Sequence, residues 1–137
     1  MIRITVPGKP IAKGRPRMTA INGHARAFTP ARTVAYEGLV ALAGQDVMDG
    51  APLLDGALSV TVWAHFPLPQ KVSRARRELA ASGRDWHTCR PDGDNILKAA
   101  CDGLNGVVWR DDAQVASAQI VKLYSETPRL VIEVKAL

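Results

Sequence analysis

Polar and apolar residues alternate at the start of the chain, where Ile2, Ile4 and Val6 are interleaved with Arg3 and Thr5. That period of two predicts a short strand, which Pro7 and Gly8 end. From Gly8 to Phe28 no periodicity survives among the glycines, prolines and basic residues, so the segment reads as a long loop. Thr29 and Pro30 then predict a helix start, because a threonine oxygen can cap free backbone N–H groups and proline at the first helical position gives up no bond. The helix should run to about Val47 with Ala31, Ala35, Leu39, Leu42 and Ala43 as its core-facing stripe, and Gly50 with Pro52 closes it.

The clearest strand lies between Ala57 and Phe66, where Leu58, Val60, Val62, Ala64 and Phe66 fall on one face and Ser59, Thr61, Trp63 and His65 on the other. His65 is thereby a sheet-face residue. A short helix over Lys71 to Ser82 would turn Val72, Ala75 and Leu79 inward and stop at Gly83. Another, from about Asn95 to Leu104, places Ile96, Leu97, Ala100 and Leu104 on one face and Asn95, Lys98 and Asp102 on a polar stripe; Asn105-Gly106 ends it. Two last strands, about 114 to 124 and 129 to 135, separated by Glu126, Thr127 and Pro128, predict an antiparallel hairpin. The order β-α-β-α-α-β-β predicts an α+β fold, one mixed sheet with helices packed against it.

Composition narrows the class. With 137 residues, 47% of them hydrophobic and 23% charged, the chain suits a single globular domain over 1–137. No run approaches the roughly 18 apolar residues of a membrane span, and the opening MIRITVPGKP lacks the apolar core of a secretory signal; a cytoplasmic protein is expected. Cys89 and Cys101 form no zinc-like spacing with His24, His65 or His87, so both are expected as free thiols. The net charge of +5 is segregated. Residues 1 to 36 carry seven basic side chains and no acid, residues 71 to 90 carry six more, and Asp92, Asp94, Asp102, Asp111 and Asp112 crowd together further on. A basic surface around an acidic focus suits a polyanionic substrate that is both held and worked on with a metal ion.

The acidic focus carries the candidate chemistry. Asp92 and Asp94 stand two apart in PDGDN where a helix begins, with Asp94 as the expected N-cap. Lys98 lies one turn beyond Asp94, and WRDDAQ brings Asp111 and Asp112 back after the Asn-Gly turn. Singly these residues have plainer readings: capping for the D-x-D, a surface pair with Asp94 or Asp102 for Lys98, and turn formation for the adjacent aspartates. Together they form a cluster of carboxylates whose mutual repulsion a hard divalent cation relieves. Magnesium takes oxygen ligands, keeps several waters, and is commonly held by a few carboxylates plus substrate phosphate oxygens. No Walker loop, GxGxxG or HExxH occurs, which favours a substrate gripped by side-chain charge.

The run RPDGDNILKAACDGLNGVVWRDDAQV, Arg90 to Val115, resembles the signature of RusA-type Holliday junction resolvases, a D-x-D-N-x-x-x-K helix start followed by an Asp-Asp pair before a strand. GKPIAKGRPR, Gly8 to Arg17, resembles the amino-terminal segment of phage-borne members. The resemblance covers nearly the whole chain. It implies a magnesium-dependent structure-specific endodeoxyribonuclease, with manganese as a substitute ion, that resolves four-way junctions by paired symmetric nicks in DNA recombination and repair. It makes Asp92, Asp94 and Asp112 the metal-binding carboxylates and Lys98 the basic residue needed for cleavage, with Asp112 rather than Asp111 at the matching position. It also implies a homodimer, bacterial or prophage-encoded.

Two roles rest on physical grounds. Lys98 would stabilise charge on the phosphorus or the attacking oxygen, and Lys13, Arg15 and Arg17 would contact DNA phosphates. The alternatives are a branched-DNA-binding module without cleavage, and another magnesium-dependent phosphohydrolase acting on nucleotides.

Overall fold

A computed structural model describes residues 1–14 and 17–137, with the backbone alone for Arg17, Thr19 and Ile21. Its elements are β1 (Ile2–Pro7), β2 (Arg17–Ile21), β3 (His24–Phe28), α1 (Ala31–Met48), β4 (Leu58–Pro67), α2 (Arg74–Ala81), α3 (Gly93–Leu104), a single 3-10 turn at Asp112–Gln114, β5 (Val115–Ser125) and β6 (Arg129–Ala136). The architecture is α+β with one mixed four-stranded sheet, ordered β1-β6-β4-β5, and a separate two-stranded hairpin of β2 and β3.

Alternation in β4 sets the core. Leu58, Val60, Val62, Ala64 and Phe66 are buried in sequence along one face. In register beside them, β6 contributes Leu130, Ile132 and Val134, and β1 contributes Ile4 and Val6. Helices α1 and α3 pack over this apolar face and against each other. They approach closely because glycine stands at both contact points. A Cβ on Gly103 would fall 2.7 Å from Val40 Cβ, and one on Gly44 would fall 2.8 Å from Leu104 Cδ2, distances that real side chains do not tolerate. His65 lies half-buried on the opposite face of the sheet, as expected, and both thiols are free. Among the described residues no helix is long and apolar enough to cross a membrane.

Several expectations are corrected. The segment from Gly8 to Phe28 is not all loop: residues 17–28 form the β2–β3 hairpin, turned at Asn22 and Gly23, whose φ angles of 53° and 78° are both positive. That is the type I′ geometry for which Asn-Gly is the favoured pair. Thr29 is not the cap of α1; the cap position is Pro30, with ψ at 143° and no side-chain bond. The buried stripe of α1 is Thr33, Tyr36, Val40, Gly44 and Met48, while Leu39 and Leu42 are more than half exposed. The helix is apolar on both flanks, and only the flank carrying Gly44 lets α3 come close. In α2, capped by Ser73, Ala80 is the buried residue while Ala75 and Leu79 are exposed, and Arg76, one turn before Ala80, pairs with Asp85 at 3.0 Å.

The last two strands do not pair as a hairpin. β4 lies between them, parallel to β5 and antiparallel to β6. As the strand whose alternate residues are all buried, β4 gains by being covered on both edges. The outer edge of β5 is also covered, because Asp85 accepts from Tyr124 N at 2.8 Å and His87 N donates to Lys122 O at 3.0 Å. At the other end of the same excursion, Leu68 N donates to Ser125 O at 3.3 Å.

Candidate active site on helix α3 and the turn before β5

The site grows from the start of α3. Gly93 begins the helix packed on β5, where an added Cβ would lie 3.1 Å from Ile120 Cγ2, so a larger residue would push the isoleucine side chain aside by a few tenths of an ångström. Asp92 holds the N-cap position, one residue-pair earlier than the expected cap at Asp94, and its carboxylate makes no capping bond. Asp94 sits in the first turn. Both carboxylates are exposed, and neither is tied into an ion pair among the described residues. Asp92 is therefore not accounted for by capping.

Asp112 arrives from the other side through a stiff turn. Trp109 is fully buried, its indole N–H donates to Asn105 Oδ1 at 2.7 Å, and Gly106 N donates to Trp109 O at 2.7 Å. Gln114 fastens the far end. Its Oε1 accepts from Arg110 N at 3.0 Å and Asp111 N at 3.2 Å, while its Nε2 donates to Leu54 O at 3.1 Å and Gly56 O at 3.0 Å. Asp111 caps the 3-10 turn, accepting from Ala113 N at 3.4 Å. Asp112, the other member of the pair, faces Lys98 with Oδ2 3.5 Å from Nζ.

Lys98 is thus flanked by two carboxylates, since Asp102 Oδ1 lies 3.1 Å from the same ammonium, one turn along α3. The other oxygen of Asp102 lies 3.1 Å from Lys13 Nζ, which also contacts Glu37 of α1 at 2.7 Å. A chain of alternating charge, Glu37–Lys13–Asp102–Lys98–Asp112, ties α1, the segment after β1, α3 and the turn before β5 together. The hydrogen bond to Asp102 and the nearby Asp112 hold the Lys98 pKa above its ordinary value. For Lys13, burial opposes the charge, but hydrogen bonds to Glu37 and Asp102 outweigh it and raise the pKa. Cys101 adjoins the pair as an uncharged thiol, pushed up to about 11 chiefly by burial, with Asp112 and Asp102 adding.

The structure brings together Lys98, Asp102 and Asp112, with Asp94 one turn from Lys98 and Asp92 at the mouth of a neighbouring cleft. Among the described residues no three carboxylate, histidine or cysteine side chains stand close enough to enclose an ion. Of the basic residues expected to reach DNA, Lys13 turns inward into its two ion pairs. Arg15 and the side chain of Arg17 lie outside the described residues. One positioning residue escaped sequence reasoning, Gln114, which the capping-box spacing of Asp111 and Gln114 could have revealed. Asp102, foreseen only as a surface partner of Lys98, also bonds Lys13.

Comparison with known proteins bears on the chain as a whole. The family model described as "Endodeoxyribonuclease RusA" matches residues 7–135. A protein of Bacillus subtilis (strain 168), described as "Uncharacterized protein YqaN", is 34% identical over 136 residues, covering 98% of this chain and 95% of its own length. The family match spans nearly the whole chain, so the chain belongs to the RusA endodeoxyribonuclease family.

Proposed function

We propose that the chain is a magnesium-dependent resolvase that cuts four-way DNA junctions by paired, symmetric nicks, acting as a homodimer with one site in each subunit. Family membership implies endodeoxyribonuclease activity. The observation that carries the finer reading is the contact between Lys98 and Asp112, 3.5 Å apart, which joins the two halves of the motif across a break of fourteen residues in sequence.

The donor chemistry fits the ion. Asp92 and Asp94 offer hard carboxylate oxygens that are exposed and unused by capping, and Asp112 offers another beside a lysine. Magnesium needs no closed protein cage, since one or two carboxylates and the substrate's own phosphate oxygens suffice. Asp92, Asp94 and Asp112 would supply carboxylate oxygens to magnesium, or to manganese in its place, together with phosphate oxygens of the substrate, and the bound ion would polarise the scissile phosphodiester as a Lewis acid. Lys98 contributes a fixed positive charge. Asp102 holds that ammonium at the α3 surface, so it meets the charge developing on the phosphate without having to reorganise. Gln114 and the Asn105–Trp109 bond keep Asp112 facing it.

A homodimer has surface available on α1. Leu39, Leu42 and Val47 are exposed and, with Pro7 of β1, line an apolar groove of about 600 Å³. Exposed apolar strips of this kind mark association surfaces.

The test compares a synthetic four-way junction, a linear duplex and a free nucleotide, each with magnesium, manganese or chelator. Symmetric nicks on the junction alone, lost with chelator, are expected. Junction binding without nicks would instead make the chain a branched-DNA-binding module, and nucleotide turnover would make it a phosphohydrolase of another kind.

A further inference from the structure

Next to Asp92 lies a cleft of about 820 Å³, bounded by the segment after β1, the start of α1 and the approach to α3. Its wall carries Lys9, Arg32 and Arg90 together with Asp92 and Asn95. All three basic side chains are exposed, and none has an acidic partner among the described residues. They contrast with Lys13 in the same wall, whose charge is already spent on Glu37 and Asp102.

The cleft is built rather than incidental. Lys13 N donates to Asn95 O at 2.9 Å, and Gly14 N donates to Thr33 Oγ1 at 2.9 Å, so the segment after β1 is clamped to α3 on one side and α1 on the other. Gly8, with φ at 94°, turns the chain so that Lys9 enters the wall. Three uncompensated cations around a concave space attract an extended polyanion more strongly than the same charges on a convex surface. The apolar side chains of Pro10, Ile11 and Pro91 between them suit the deoxyribose rings that separate successive phosphates. The volume falls within the roughly 300–1,000 Å³ of small-ligand sites, which suits a short length of one strand and not a duplex.

We propose that this cleft takes the sugar-phosphate backbone of a single DNA strand immediately beside the scissile bond, with Lys9, Arg32 and Arg90 on its phosphates. The proposal rests on the nuclease reading and adds to it where the cut strand runs: over the start of α1, past Asp92, and into the site at Lys98. It also assigns a phosphate-gripping role to residues other than Lys13. Contacts of this kind position the strand and carry no sequence information.

The test is the salt dependence of junction binding with chelator present, for the wild type, Lys9→Gln, Arg32→Gln, the double variant and Lys135→Gln, an exposed control on the last strand. Each lost phosphate contact lowers the slope of log K against log salt by about 0.7–0.9, the lower figure being that of single strands. The expected result is one such step for each single variant, two for the double variant and none for Lys135→Gln, with KM for junction cleavage rising in the same order. Melting curves matching the wild type establish that the exposed substitutions leave the fold intact. An unchanged slope in the double variant of an enzyme that still cuts junctions overturns the cleft assignment alone, as does an equal loss in the Lys135→Gln control. A wild type that neither binds nor cuts branched DNA overturns the nuclease reading and the cleft with it.

Discussion

Gln114 makes four hydrogen bonds with one side chain, and their removal is the sharpest test of how Asp112 is held. Its amide closes the turn onto two backbone N–H groups and staples it to two carbonyls of the segment before β4. At a net contribution of about 1 kcal/mol per bond, reduced for partial exposure, Gln114→Ala should cost about 2–3 kcal/mol. With a urea dependence of about 2 kcal/mol per molar, the unfolding midpoint moves down by roughly 1–1.5 M. Gln114→Glu separates the two halves of the clamp. It keeps an acceptor for Arg110 N and Asp111 N but sets a carboxylate against the Leu54 and Gly56 carbonyls, so it should recover little of the loss. An Asp112 displaced by about 1 Å lowers catalysis by up to roughly 100-fold. Urea denaturation and single-turnover cleavage of a four-way junction read the two effects on the same preparations. A midpoint within about 0.3 M of wild type together with full cleavage would refute the view that this amide positions the carboxylate.

Asp92→Asn should abolish cleavage while junction binding persists or strengthens, measured by gel shift, since it removes a proposed metal ligand and some repulsion of phosphate; joint loss of binding and folding would contradict this. Lys13→Met leaves the largely buried Glu37 carboxylate without its ion pair and Asp102 with Lys98 alone and should cost about 1–3 kcal/mol in urea denaturation, with the salt slope of DNA binding unchanged. Leu42→Arg should convert the proposed homodimer to a monomer in sedimentation equilibrium, because each leucine buried on association would contribute about 1.5–3 kcal/mol and a symmetric interface would lose it twice; an unchanged mass would remove this face of α1 from the interface. Burial, with Arg129 and Arg3 near His65 and Lys122 near His87, holds both histidines below their ordinary pKa. The native chain keeps them neutral while the unfolded chain takes up protons near about pH 6.5. Their stabilising contribution is therefore complete above that pH and is lost as pH falls through their lower native values. Urea midpoints between pH 7 and pH 5 should show the decline, and it should flatten in His87→Gln.

Legibility in the sequence followed the physics of each element. The alternation of β4 was plain because one side of the strand meets water and the other meets helices, so every second residue is forced apolar. Alternation names the face of a strand but not its neighbours, and nothing in residues 115–136 revealed that β4 would separate β5 from β6. Helix α1 misled because two stripes compete around it; the contact was decided by Gly44 and Gly103, whose missing side chains count as polar or neutral in any hydrophobic pattern. The hairpin over 17–28 was hidden by basic residues and exposed throughout β3, leaving Asn22-Gly23 as its signal. At the candidate site, the meeting of Lys98 with Asp112 was foreshadowed by their place in one motif, whereas Asp92 and Asp94 make no contact with Asp112 among the described residues. Lys9 and Arg32 were not, since only the folded chain brings two ordinary basic residues to the side of Asp92.

Residues 68–85 leave the end of β4 beside β5 and come back to β5 at a neighbouring position, with Leu68 bonded at Ser125 and Asp85 at Tyr124. Because departure and return nearly coincide, the stretch holding α2 behaves as a side pocket of chain hung from a closed gate. Lengthening or shortening it away from Arg76, whose guanidinium pairs with Asp85 at 3.0 Å, should transmit no displacement to Asp92, provided both anchoring bonds survive. An affinity tag, a fluorophore loop or a second DNA-recognition module could therefore be grafted there, with the cutting centre left in register.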